Sequence, residues 1–483
     1  MAESRLGSKV RSLRRRQGLT QAKLAENLGI STSYLNLIEN NRRPLSASVL
    51  IKMAQLFQVD LQSFASDEEG ELASQLMEVF GDPIFDPYEL SGNDVRELAS
   101  QNASVGRAVL GMYRSYREAR ESVQSLASHL SDGRTGSPTM DSIHLPTEEV
   151  SDFVQRNSNY FPDLEAGAEK IRQVANIEHE DLFTCLSRYL NDHHGIRVKV
   201  KKIGSMKGAI RRFDKNKRIL YLSEVLRRGS RNFQLAHQIG LMTQEDAFNR
   251  LSQNEILTNN DSRALCRVAL ANYFAGAVLM PYQEFLDAAR AERYDIELLG
   301  HRFRTSFEQV CHRLTSLRRK GAEGVPFHLV RIDIAGNISK RFTASGLRFA
   351  RYNAACPRWN VHKAFTTPGM IRCQLSTMPD GRNFFCIART LEKSVSGYRS
   401  EHHVQAIGMG CDVRFAEELV YSDGMDLSSD EASLKVGITC RLCERMDCEQ
   451  RAFPPLQHPL QINENVRGAS FFAPVGEDKP LKD

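Results

Sequence analysis

Phe233-Gln234-Leu235-Ala236-His237-Gln238-Ile239-Gly240-Leu241 decides how the middle of this chain is read. On an α-helix, residues four apart share one face. Two His at that spacing hold zinc, with a Glu beside the first as general base. This stretch keeps His237, but Gln238 stands where the Glu would be and Leu241 where the second His would be. An amide has no basicity near neutral pH, and Leu offers no ligand atom. The segment is therefore either a zinc helix with its chemistry removed or an ordinary amphipathic helix with one polar-contact His. His193-His194 cannot replace the missing pair, because neighbours on a helix point about 100° apart.

The flanking segments add to the first reading. Arg197 to Lys202 alternates Val with Lys/Arg, and Arg211 to Leu222 reads as a hairpin with Asp214 to Lys217 at its turn. Downstream come an Ala/Asn-rich apolar helix around Ala271 to Met280 and a Ser-containing helix between Leu298 and Leu317. This order of elements, over residues 148–320, resembles the ImmA/IrrE metallopeptidase-like domain. The resemblance implies an α+β fold. It fails at the two positions that catalysis requires, so a sensor is expected rather than an enzyme.

The N-terminal segment is a basic helical head. Residues 1–66 hold ten Lys/Arg and four Asp/Glu, a net +6 in a chain of net +5, so the remainder nearly cancels. Concentrated positive charge suits a polyanion. Five short helices are expected over residues 5–65. Arg5 to Arg16, apolar at Leu6, Val10 and Leu13, reads as the first, Thr20 caps a second that Gly29 ends, Ser31 caps a third, to about Glu39, and Ser46 caps a fourth. Two helices joined by a Gly-containing turn match helix-turn-helix geometry. Leu19 to Pro44 resembles the Xre/phage-repressor family. Ser31, Thr32, Ser33, Tyr34 and Asn36 would then meet base edges of double-stranded DNA in the major groove. Gln21 would contact backbone or a base, and Arg42 and Arg43 phosphates. One head per chain implies a homodimer on two half-sites.

Residues 67–147 read as a helical linker with a possible dimerisation helix from Val95 to Leu130, and the hinge falls in the turn-rich stretch 131–147. Residues 321–483 turn toward strands, at Phe327 to Asp333, at Gly336 to Phe342 and from Asn383. Arg348, Arg351, Trp359 and His362 could meet an anionic phosphate and stack on adenine, or form a solvated loop. Cys440, Cys443 and Cys448 form C-x2-C-x4-C, with Cys411 a candidate fourth ligand. Such a set fits a 4Fe-4S cluster, with zinc as the alternative, or reduced thiols in a turn.

The three-part order and the Cys-Arg-x-Cys-x-Arg-x-x-Cys tail resemble the short-chain fatty acyl transcriptional regulator family. That resemblance implies a multidomain chain with a helical head and α+β middle and C-terminal domains. It implies transcriptional control of propionate or acetate metabolism, with a short-chain acyl-CoA such as propionyl-CoA as effector. The alternatives are a metalloprotease-type regulator that cleaves a partner repressor and a redox-sensing iron–sulfur regulator. No apolar run approaches the roughly 18 residues that span a bilayer, and residues 1–16 lack a signal-peptide core. A cytoplasmic location without membrane contact is expected.

Overall fold

The computed structural model describes residues 10–11, 14, 19–39, 43, 46–57, 68–88, 90–131, 146–177, 181–350, 355–393, 403–441, 443–454 and 470. The chain divides into two compact units, Met1–Pro138 with Leu456–Pro459 and Thr139–Pro455 with Leu460–Asp483.

In the first unit, α1 (Gln21–Leu28) starts at Thr20, whose hydroxyl accepts from the Lys23 amide. It ends at Gly29, whose φ of 67° lets its N–H return to the Ala25 and Glu26 carbonyls. Ser31 caps α2 (Thr32–Glu39) by accepting from the Tyr34 amide at 3.1 Å. These helices and α3 (Ala47–Phe57) bury Val10, Leu24, Leu28, Leu35, Ile38 and Met53 in one small core. The fifth expected helix lies outside the described residues. The same unit continues with α4 (Glu68–Phe80), α5 (Gly92–Gln101) and α6 (Ala103–Ser131). The single helix expected from Val95 is thus two, because Asn102 leaves helical geometry at φ −133°, ψ 53°. Most of the expected hinge lies outside the described residues.

The second unit opens with α7 (Pro146–Arg156), α8 (Pro162–Val174) and α9 (Leu182–His194). Strands β1 (Arg197–Lys201), β2 (Arg211–Asp214) and β3 (Ile219–Ser223) form a sheet in the order β1-β3-β2, with the expected hairpin antiparallel. Helix α10 (Arg228–Thr243) carries His237 and crosses α11 (Asn260–Leu279). Gly240 makes that approach possible, since a Cβ there would stand 2.7 Å from the Phe274 ring. Helix α12 (Phe307–Thr315) closes the helical layer.

Strands β4 (His328–Asp333), β5 (Ile338–Thr343), β6 (Arg372–Thr377), β7 (Asn383–Lys393), β8 (His403–Asp412) and β9 (Leu434–Lys435) form a second sheet, ordered β5-β4-β8-β7-β6-β9. Side chains alternate across it. Leu329, Phe385, Ile387, Ile407, Met409 and Cys411 join the core of the helical layer. Val330, Phe384, Ala388 and Ala406 face a separate core with Trp359. A buried ion pair ties the helices together: Arg313 on α12 grips Glu165 on α8 at 2.6 and 2.9 Å, and Tyr273 on α11 donates to the same carboxylate. Among the described residues no single helix is long and apolar enough to cross a membrane.

Candidate functional site

The head is organised by a carboxylate. Glu39, at the end of α2, is 2% exposed. Arg14 donates to both its oxygens at 2.6 and 3.0 Å, and Gln21 donates to one at 2.7 Å. Arg11 stands 3.7 Å away. Burial pushes the Glu39 pKa up, but the hydrogen bonds from Arg14 and Gln21 and the nearby cations outweigh it and hold it below the usual value. The node fixes the start of α1 against the end of α2, so the two helices keep one crossing. Ser31, Thr32, Ser33 and Asn36 are exposed on α2 and Tyr34 is half-buried. The Arg43 guanidinium lies 5.3 Å from the Tyr34 ring centroid, which holds a cation beside the helix. Arg42 lies outside the described residues.

At the decayed zinc helix, the Arg211 side chain on β2 reaches the His237 Nδ1 at 2.6 Å and Gln238 Oε1 at 3.4 Å. Arginine only donates, so Nδ1 accepts and the ring proton sits on Nε2. Burial, reinforced by the Arg211 charge, brings the His237 pKa down to about 3. The lone pair and the local charge are both committed to a guanidinium. A divalent cation would have to displace a fixed positive charge from a buried site.

In the C-terminal half, a small cavity of about 30 Å³ is lined by His328, Phe349, Trp359, Phe384, Cys386 and Met409 among others. The His328 Nε2 faces the Cys386 thiol at 3.5 Å, and Nδ1 meets Ser345 at 2.8 Å. Gly410 makes room for this ring: a Cβ there would lie 2.8 Å from it. Burial holds the His328 pKa at about 3 and pushes Cys386 to about 12, so both are neutral near pH 7. A larger groove of about 1450 Å³ runs between an apolar wall with Phe233, Leu265 and Val268 and a polar wall with Arg331, Lys340 and Arg341.

The expected nucleotide-contacting set does not come together at a surface. Trp359 is 7% exposed, and its indole N–H donates to the Gly437 carbonyl at 2.9 Å. It is therefore a wall of the pocket rather than a face open to adenine. Arg348 and His362 are half-buried but do not line that pocket, and burial lowers the His362 pKa. Arg351 lies outside the described residues.

The cysteine loop is held by Arg451, which is 4% exposed. Its guanidinium donates to the carbonyls of Cys440 at 2.6 Å and Cys443 at 2.8 Å, and to that of Arg445. The Ala452 amide points at the Cys440 sulfur at 3.5 Å. Cys411 is not the fourth member: it is wholly buried on β8 opposite Phe385, with Cys386 as its neighbouring thiol. Cys356, by contrast, lies near the thiols of the loop. Its amide donates to the Ile438 carbonyl at 2.9 Å, and burial together with the nearby Cys440 and Cys443 sulfurs raises its pKa. The donor set suits a thiolate-bound centre. As the side chains stand, no group of three His, Cys, Asp or Glu among the described residues is arranged to hold an ion. Glu39, Arg211 and Cys356 escaped the sequence reading. Each acts through a partner distant in sequence, and only a buried charge or a lone thiol hinted at them.

Three family profiles match the chain in order. They are a helix-turn-helix over residues 10–64, an IrrE N-terminal-like domain over 191–315, and the C-terminal region of the short-chain fatty acyl coenzyme A regulators over 316–472. The chain is 38% identical to the HTH-type transcriptional regulator RamB of Mycobacterium tuberculosis, over 96% of this chain and 98% of that one. The chain belongs to the short-chain fatty acyl coenzyme A regulator family. To PrpR, an HTH-type transcriptional regulator of the same organism, it is 38% identical over 95% of its length and 94% of PrpR's. To the propionyl-CoA carboxylase regulator of Cereibacter sphaeroides it is 39% identical over 96% and 97% of the two chains. A solved Mycobacterium tuberculosis transcriptional regulator, 39% identical, superposes with a TM-score of 0.66 over 68% of this chain and all of that one. As a member of this family the chain is a helix-turn-helix transcriptional regulator of multidomain α and α+β architecture.

Proposed function

We propose that this regulator binds operator DNA as a cytoplasmic homodimer and changes its hold on DNA when a short-chain acyl-CoA, such as propionyl-CoA, occupies the second unit. The observation that carries the reading is the Glu39 node, which presents the polar start of α2 on a rigid helix pair. Ser31, Thr32, Ser33, Tyr34 and Asn36 meet base edges, and Gln21, Arg42 and Arg43 hold the backbone. Residues 1–66 form the head, 67–147 the connection, 148–320 the degenerate ImmA/IrrE-like domain and 321–483 the sensing domain. The groove has room for the coenzyme A body, exceeding an ordinary small-molecule pocket of roughly 300–1,000 Å³. Coupling requires the effector to favour one arrangement of the heads over another. The chain performs no peptide cleavage, since Arg211 claims the His237 nitrogen.

Gel shifts on promoter fragments, titrated with acetyl-, propionyl- and butyryl-CoA, test this. Asn36→Ala relaxes sequence preference by about 1–3 kcal/mol, whereas Arg43→Ala weakens all duplexes evenly. Equal loss for Asn36→Ala on operator and scrambled DNA removes it from base reading. No salt-sensitive attachment to any promoter fragment, with or without thioester, ends the account.

A second reading coexists with the first. Cys356, Cys440, Cys443 and Cys448 hold a 4Fe-4S cluster, which would supply one-electron chemistry and sensitivity to oxidants. The support is the Arg451 clamp on the loop and the proximity of Cys356. After anaerobic purification, Cys356→Ser loses iron and Cys411→Ser keeps it. Stoichiometric zinc without iron assigns the site to zinc instead.

A further inference from the structure

Residues 197–231 carry thirteen Lys/Arg and two acids, a net +11, denser than the head's +6 over 66 residues. Most of this charge sits on the β1-β3-β2 sheet and its turns. The register sets Lys199, Tyr221 and Arg212 side by side in one row across the three strands. Alternation then places Arg197 and Lys201 on the same face. The opposite face carries Val198, Leu220, Leu222 and Phe213, which pack into the main core. The cationic face is therefore the outward one, and Arg197, Lys199, Lys201 and Arg212 are all exposed on it.

Elsewhere in this unit several exposed cations are paired, as in Arg250 with Asp163, Arg293 with Asp423 and Arg414 with Asp412. Here they are not. Among the described residues no carboxylate pairs with Arg197, Lys199, Lys201, Arg212, Lys215 or Lys217. Lys201 instead lies 5.7 Å from the Tyr221 ring centroid. Asp214, the acid on this face, spends one oxygen on the Lys217 amide. A sheet of unpaired cations repels itself, and a partner of repeated negative charge relieves that repulsion. Tyr221 is the single aromatic within the strands' outward row, too few for a base-stacking platform. Lys, Arg and Tyr hydroxyls suit phosphate oxygens of a duplex.

We propose that this sheet face binds the phosphate backbone of duplex DNA beside the sequence read by the head. This rests on the DNA-binding reading of the chain. It makes the degenerate domain a second, sequence-independent DNA contact.

The test uses full-length protein and duplexes that the wild-type chain selects from random-sequence DNA. Each duplex is made in two lengths: trimmed to the head's footprint, and extended by two helical turns at each end. The variant is Lys199→Gln/Lys201→Gln/Arg212→Gln, three exposed positions whose change leaves no buried group unpaired. Each lost phosphate contact flattens the slope of log K against log salt by about 0.9, so between about 50 and 200 mM salt the variant loses roughly 40-fold less affinity on the long duplex. On the short duplex the two proteins behave alike. An unchanged slope on the long duplex, with wild-type binding intact, overturns this assignment and leaves the head's role standing. Loss of attachment to a single-stranded RNA or to phosphatidylserine vesicles, with the duplex slope unchanged, also overturns it. Failure of wild-type protein to hold any duplex overturns both.

Discussion

Replacing Glu39 with Gln tests whether one carboxylate sets the geometry of the head. Its side chain is fully buried, Arg14 is 13% exposed and Arg11 38%. Losing one partner of a buried pair costs about 3–5 kcal/mol, and an exposed pair is worth about 0–1 kcal/mol. Arg14 lies near the buried limit and can still reach water, so the expected cost is about 2–3 kcal/mol. A helical head this small holds only a few kcal/mol in total. Hydrogen exchange in full-length protein reads the effect: amides of Leu24 and Leu35 should exchange about 30- to 150-fold faster, while core amides of the second unit are unchanged. Operator affinity should fall in parallel. Arg14→Met with Glu39→Met should recover protection, because an apolar pair of similar volume replaces the ionic one. It should not recover DNA binding, because Gln21 and Arg11 have lost their anchor. Unchanged protection in Glu39→Gln would refute the reasoning.

Acid should loosen the second unit. Above about pH 6.5, His237 and His328 are neutral whether folded or not, and their contribution is fully present. As pH falls the unfolded chain takes up protons that the folded chain refuses until about pH 3, so at pH 5 each residue withdraws roughly 2 kcal/mol. Urea midpoints at pH 7 and 5 measure this, and His328→Gln should remove about half of the difference, His237 keeping the rest. Gly240→Val should drive its side chain into the Phe274 ring, costing about 1–3 kcal/mol, and a second change, Phe274→Leu, should return part of the lost melting temperature. No drop in melting temperature for Gly240→Val would show that α10 and α11 separate freely.

Local signals were legible in the sequence. Thr20, Gly29 and Ser31 mark helix ends because each satisfies backbone groups within a few residues of itself. The hairpin from Arg211 announces itself through alternation and its Asp214 turn. Strand β8 was not among the expected strands, and Gly408 and Gly410 leave gaps in its pattern of side chains. The fold uses Gly410 for clearance, with the Phe385 carbonyl only 2.4 Å from where a Cβ would stand. The site was less legible for the same physical reason. Arg211 meets His237 across 26 residues, and Trp359 meets Gly437 across 78. Spacing within a motif carries no trace of such partners. Cys411 looked like a ligand from composition alone, and burial in the sheet removed it.

The guanidinium at His237 belongs to the polypeptide and cannot dissociate. A hydrolase helix secured by an ion loosens when chelators strip that ion away. Here the keystone is translated with the chain, so the interior of this layer assembles the same way in zinc-starved and zinc-replete cells.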